Sequence, residues 1–221
     1  IRSEPRAFRI TNGVAGIVVQ TGGLSVFNPS TAPFDSTLSF DSEKGVIYTV
    51  GTLELRRRSG STLNSMIRAT NGFIKAGPGD LVVSNLSRAN EGTVLNNLRG
   101  IVSVDEGRLI LQHGNAMGGA VVMLNGGVLA LMANANTKYQ AQDVSVTNTP
   151  IIVQASVGTV LVGRVTSATT STRHTVGQIT LRPQTLLWLN HTNLQPDADY
   201  ELIADGLVLE GDATIRINTG P

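Results

Sequence analysis

The chain has no cysteine, which excludes a disulfide framework, a thiolate zinc site and a thiol nucleophile. Aromatic residues make up only 4% of its 221 residues, too few for a sugar-stacking platform or for the interleaved aromatic surface that stacks nucleic-acid bases. Charge is scarce as well: 15% of residues, 17 basic against 16 acidic, leave no surplus of either sign to attract a polyanion or an anionic membrane. No run approaches the roughly 18 apolar residues of a membrane helix, and no series of about 10-residue strands with aromatic girdles suggests an outer-membrane barrel. The expectation is a chain with no nucleic-acid partner and no direct membrane insertion. The opening "IRSEPRAFRI" has neither an initiator Met nor the basic and apolar regions of a secretion signal, and the closing "INTGP" directly follows a strand-like "ATIRI". Both ends read as cuts through a longer chain.

Helical periodicity is nearly missing too. In its place run short segments such as "AGIVVQ", "GVIYTV", "GTLELR", "GRLILQ", "AVVML" and "GVLAL", resuming after a Thr/Asn-rich stretch as "PIIVQ", "GTVLVG", "LLWLN", "YELIA" and "ATIRI". They are β-branched or Leu-rich and bounded by Gly, Asn, Asp, Ser or Pro, the marks of strands and turns, so the chain is all-β. In the recurring form Gly-x-Leu-x-Leu, alternate side chains fill one interior face. Leu53 and Leu55 are expected inward with Glu54 outward, and likewise Leu109 with Leu111, Leu129 with Leu131, Ile179 with Leu181, Leu207 with Leu209, and Ile215 with Ile217. Gly51, Gly79, Gly107 and Gly127 follow one another at 28, 28 and 20 residues, the spacing of a solenoid. One coil cannot bury its own inner face, but stacked coils share a core and satisfy each other's backbone groups. A parallel β-helix is therefore expected, with about ten coils of roughly 22 residues and about 50 Å of rod. The alternative is an antiparallel β-sandwich, because "LNGGV" also has the form of an Asn-Gly hairpin turn.

Residues 72–131 resemble the autotransporter-associated β-strand repeat, also called the passenger-associated transport repeat, of bacterial surface proteins. In "GFIKAGPGDLVVS" the resemblance is carried by Gly72, Ile74, Lys75, Gly77, Gly79, Leu81, Val83 and Ser84. In "VDEGRLILQHGNAMGGAVVMLNGGVLAL" it is carried by Gly107, Leu109, Leu111, Gly118, Val122, Leu124, Gly127, Leu129 and Leu131. The intervening "NLSRANEGTVLNNLRG" departs from the family, which more often has a glycine after the serine and an aromatic residue in the turn. The resemblance implies a right-handed parallel β-helix outside a bacterial cell, without catalysis. Residues 1–71 and 132–221 are read as more diverged coils of one continuous segment spanning 1–221.

Each group with chemical potential has a plainer explanation beside it. Asp197, Asp199 and Glu201 in "PDADYE" alternate like one carboxylate face, yet a calcium site needs six or more oxygens and a glycine-turned loop, so a solvated turn is expected. Asp105 and Glu106 read as a polar corner before Gly107. His113, His174 and His191 lack metal-ligand spacing and are expected in exposed loops, and no Gly-x-Ser-x-Gly nucleophile elbow occurs. Arg56, Arg57 and Arg58 could grip an anionic glycan or form a solvated corner; Trp188 could be buried by either strand parity. Asn85-Leu86-Ser87 and Asn190-His191-Thr192 match the N-glycosylation pattern but would stay bare in a bacterial protein. No catalytic, cofactor-binding or metal-binding residue is assigned. The reading is a non-enzymatic structural segment of a surface or extracellular protein, whose partners are further β-helix segments or end-to-end copies; the alternative is a glycan-binding or polysaccharide-degrading β-helix.

Overall fold

The computed structural model describes residues 8–12, 17–19, 24–28, 36–40, 44–57, 67–85, 97–140, 148–166, 171–192 and 199–218. Two eight-stranded sheets run the length of these residues. The first stacks Ile17–Val19, Gly45–Thr49, Gly72–Ala76, Ile101–Val104, Val121–Leu124, Ile151–Val153, Ile179–Leu181 and Leu207–Leu209. The second stacks Leu24–Asn28, Thr52–Arg57, Asp80–Asn85, Arg108–Leu111, Val128–Leu131, Val157–Gly163, Thr185–Thr192 and Ala213–Ile217. The third side is divided: a four-stranded sheet from Phe8–Asn12 to Asn97–Leu98, then a three-stranded one of Thr137–Lys138, Thr172–Val176 and Tyr200–Ala204. Strand neighbours in every sheet are parallel, and the antiparallel contact among the described residues is an isolated bridge between Gln140 and Asn148. The fold is a parallel β-helix, and the sandwich alternative falls. The "LNGGV" turn separates Val121–Leu124 from Val128–Leu131, which lie in different sheets, so it is a corner; Gly126 takes φ 124° there, a conformation that glycine tolerates.

Strand alternation sets the core. In the second sheet Leu24, Leu53, Leu81, Leu109, Leu129, Val160, Leu189 and Ile217 are successive pairing partners and form one column. Leu53, Leu55, Leu81, Leu109, Leu111, Leu129, Leu131, Ile179 and Leu181 are all buried, as their parity requires. Each fully buried aliphatic side chain contributes about 1.5–3 kcal/mol relative to exposure, so the column, repeated on each side, is what holds the coils together. Leu207, Leu209, Ile215 and Ile217 depart from the expectation: they keep their column register, yet 50%, 54%, 40% and 65% of their surface stays accessible. Among the described residues no coil lies over them.

The coil is longer than expected. Cross-coil partners such as Asp80 and Arg108, Arg173 and Glu201, and Arg182 and Glu210 are each 28 residues apart, and the 20-residue step from Asp105 to Asn125 is a local shortening. A coil of 28 residues, not roughly 22, makes the stack shorter than ten coils. Eight stacked strands at about 4.8 Å give roughly 34 Å of axis rather than 50 Å.

Polar side chains on the outside tie neighbouring coils. Arg108 grips Asp80 through Nε at 2.8 Å and Nη2 at 2.6 Å, a bidentate pair that raises the arginine's pKa, chiefly through the hydrogen bond. Arg108 is 49% exposed, so solvent screens the pair. Arg108→Ala is expected to cost no more than about 1 kcal/mol in chemical denaturation and less at 1 M salt; a cost insensitive to salt would show that packing of the side-chain stem, not charge, is at stake.

Candidate functional site

Of the residues singled out for chemistry, Glu201 and Asp105 use their carboxylates on neighbouring side chains. Glu201 accepts from Arg173 Nε at 2.6 Å, and the Asp199 N–H donates to Ser171 Oγ at 3.2 Å; Asp197 lies outside the described residues. Asp105 accepts from Ser103 Oγ and, at 3.3 Å, from Asn125 Nδ2, while Glu106 offers its backbone carbonyl to Lys75. Arg56 and Arg57 belong to a strand of the second sheet and Arg58 lies outside the described residues. Asn85 ends its strand and Leu86 and Ser87 are outside the described residues; the Asn190 Oδ1 accepts from the His191 N–H at 2.8 Å and from Asn218 Nδ2 at 3.3 Å. Among the described residues no group of three or more His, Asp or Glu is placed to hold a metal ion.

The expectation of exposed loop histidines is corrected for two of the three. His113 does sit in a turn, half-buried, its Nδ1 accepting from the Asn115 N–H at 3.1 Å. His191 lies in the strand Thr185–Thr192, half-buried, paired with Val162. His174 is wholly buried in the strand Thr172–Val176, where it occupies an inward position. Short strands bounded by Thr and Ser look like loops in a sequence, which hides the parity of "TRHTV". His174 Nε2 lies 3.0 Å from the Gly163 carbonyl and Nδ1 lies 3.1 Å from the Tyr139 hydroxyl, with the two rings stacked at 6.0 Å. A carbonyl only accepts, so the proton is assigned to Nε2 and Nδ1 accepts from Tyr139. Burial, reinforced by the nearby Arg164 guanidinium and opposed by the Gly163 hydrogen bond, lowers the pKa of His174 to about 4. Arg164 Nη1 donates to Thr172 Oγ1 at 3.0 Å inside the same cluster, and burial raises the Tyr139 pKa.

Lys75 is a second buried polar group, read from the sequence only as a repeat position. It takes its place in the first sheet's inward column, between Ile47 and Val104, with no accessible surface. Its Nζ turns into the corner and donates to the carbonyls of Ala76 at 3.0 Å, Gly77 at 2.7 Å and Glu106 at 2.9 Å, tying two coils from within. Burial lowers its pKa to about 8, against the pull of Asp80 and Glu106, so the ammonium keeps its proton at neutral pH. The signal was legible: a lysine at inward parity has to find acceptors at a strand end.

Two surfaces remain. Trp188 faces outward on the second sheet beneath the Arg216 guanidinium, 5.5 Å from its ring centre, so the ring is already engaged by a cation. The other surface is the end face formed by Leu207, Leu209, Ile215 and Ile217, with an open notch of about 470 Å³ between Gln184, Leu186, Leu209 and Asp212. Of the exposed carboxylates on these last strands and turns, Glu201 is paired with Arg173, Glu210 with Arg182, and Asp205 accepts from Asn148 Nδ2 at 2.9 Å. No protein-family model, curated protein or solved structure matches the chain.

Proposed function

We propose that this chain is a non-enzymatic structural segment of a bacterial cell-surface or extracellular protein, a stiff rod for adhesion or display. The observation that carries the reading is the use made of polar groups: Arg108 with Asp80, Arg173 with Glu201, Arg182 with Glu210, and Lys75 bind coil to coil, and the inward columns run through both eight-stranded sheets. The bacterial exterior and the kinship with autotransporter-associated repeats rest on the residues of 72–131 quoted above. Its natural partners are then further β-helix, in the same protein or in end-to-end copies. The glycan-directed alternative wants open aromatic faces, and Arg216 occupies that of Trp188.

Antibodies against residues 97–140 should label intact cells of the source organism, and electron microscopy of the native protein should show rods well beyond the roughly 34 Å of this segment. Labelling that requires lysis, or compact particles, would sink the reading.

A further inference from the structure

We propose that Asn125 is a site of spontaneous covalent modification, at which the nitrogen of Gly126 converts the asparagine through a cyclic imide into aspartate and isoaspartate. An Asn-Gly pair occurs at 12–13, 71–72 and 125–126, so the sequence offers three equal candidates and the fold separates them. Asn125 and Gly126 both stand exposed at the corner between Val121–Leu124 and Val128–Leu131. The amides on either side are engaged, since the Asn125 and Gly127 N–H groups each donate to the Val104 carbonyl at 3.0 Å, but the Gly126 N–H has no hydrogen-bond partner among the described residues. It is open to base from solvent and free to turn on the neighbouring side chain. Gly126, at φ 124°, carries no side chain to obstruct the ring that must form. The Asn125 amide is tethered only by an exposed 3.3 Å bond from Nδ2 to Asp105 Oδ1, long for a hydrogen bond. Gly72, by contrast, is buried as the first residue of Gly72–Ala76, so closely that an added Cβ would lie 2.0 Å from the Ile101 carbonyl oxygen. The same reaction there has to wait for two strands to part. Gly13 lies outside the described residues.

Hydroxide removes the Gly126 amide proton and the nitrogen bonds to Asn125 Cγ; the Cγ–Nδ2 bond then breaks, and Nδ2 leaves as ammonia with a proton from water. Water opens the five-membered imide at its side-chain carbonyl to give aspartate, or at its main-chain carbonyl to give isoaspartate, in which the chain runs through the β-carboxyl. Nothing is oxidised or reduced: one water enters and one ammonia leaves. Either product replaces a donor to Asp105 with a carboxylate, so two like charges meet across adjacent coils. Isoaspartate also adds one backbone atom between the Asn125 and Gly127 N–H groups, which share the Val104 carbonyl as acceptor. The added length falls on the step shortened to 20 residues between Asp105 and Asn125.

The folded chain, incubated in mildly alkaline buffer, should gain one dalton and one acidic step in isoelectric focusing. Peptide mapping should place the gain at Asn125, and isoaspartate-specific methylation should label part of it. Conversion at Asn125 should run at least about tenfold faster than at Asn71, which depends on local opening, and the two rates should converge in the urea-unfolded chain. Asn125→Gln, which would have to close a six-membered ring, should remove the gain at this corner. The incubated chain should melt below the fresh one, by a margin that narrows in salt and that Asn125→Gln does not develop. Equal rates at Asn71 and Asn125 in the folded chain would overturn the assignment, because the pair and not the corner would then set the reaction. So would conversion at Asn125 more than about tenfold slower folded than unfolded, which would show the Gly126 amide to be protected. The assignment is independent of the rod reading, which stands or falls on microscopy of the native protein.

Discussion

Lys75→Met should lower the stability of the chain by about 3 kcal/mol at pH 7, a fall of roughly 6–12 °C in melting temperature for a chain of this size. Two opposed quantities set that value. Removing the ammonium strands the buried Gly77 carbonyl, a loss of about 1–3 kcal/mol, and takes a bond from each of the part-buried carbonyls of Ala76 and Glu106, at about 1 kcal/mol apiece. Against this, methionine fits an apolar column and relieves the cost of burying the charge, the same cost that lowers the lysine's pKa to about 8. The carbonyls outweigh the charge. Arginine cannot substitute, because the corner is closed by Gly107: at its φ of 62° even an added Cβ would lie 2.9 Å from the Lys75 Nζ and 2.2 Å from the Gly79 carbonyl oxygen. Equilibrium denaturation of the two proteins at pH 7 measures the difference. An unchanged or raised midpoint for Lys75→Met would mean that burying the ammonium costs at least as much as its three bonds return.

The architecture was legible because it is written in period-2 alternation and a repeat length, both of which survive without partners in view. Leu53, Leu81, Leu109 and Leu129 could be assigned inward from Gly-x-Leu-x-Leu alone, and the structure buries them all. What alternation cannot express is whether a further coil covers a strand. Ile215 and Ile217 have the same pattern as Leu109 and Leu111 but remain exposed, since burial in a solenoid comes from the next coil and not from the strand itself. Polar residues at inward positions were harder still. Thr172 and His174 alternate with Arg173 as cleanly as any leucine pair, but a pattern read through hydrophobicity passes over them. Gly163 and Arg164 lie close by in the chain, but Tyr139 lies 35 residues from His174 on the preceding coil, and that partner is what the local pattern cannot announce.

That cluster makes the stability of the chain depend on acid. His174 is expected to contribute a loss of about 2 kcal/mol on going from neutral pH to pH 5, approaching about 3 kcal/mol near pH 4. In the unfolded chain its imidazole takes up a proton near pH 6.5, whereas in the folded chain it resists until about pH 4. Between those values the unfolded state binds the extra proton, so stability is fully present above pH 6.5 and drains away as the pH falls towards 4. Lost hydrogen bonds are not the cause. A protonated Nδ1 could donate to the Tyr139 oxygen, whose own proton could turn to the Leu111 carbonyl 3.4 Å away, leaving every partner occupied. The cost lies in placing a cation where no water reaches, beside the Arg164 guanidinium. His174→Gln retains a donor for Gly163 and an acceptor for Tyr139 but cannot charge, so its denaturation midpoint should fall less steeply between pH 7 and pH 4.5 than that of the unaltered chain. The carboxylates that titrate nearby are common to both proteins and cancel in the comparison. Parallel pH profiles would show that His174 is protonated in the folded chain as readily as in the unfolded one.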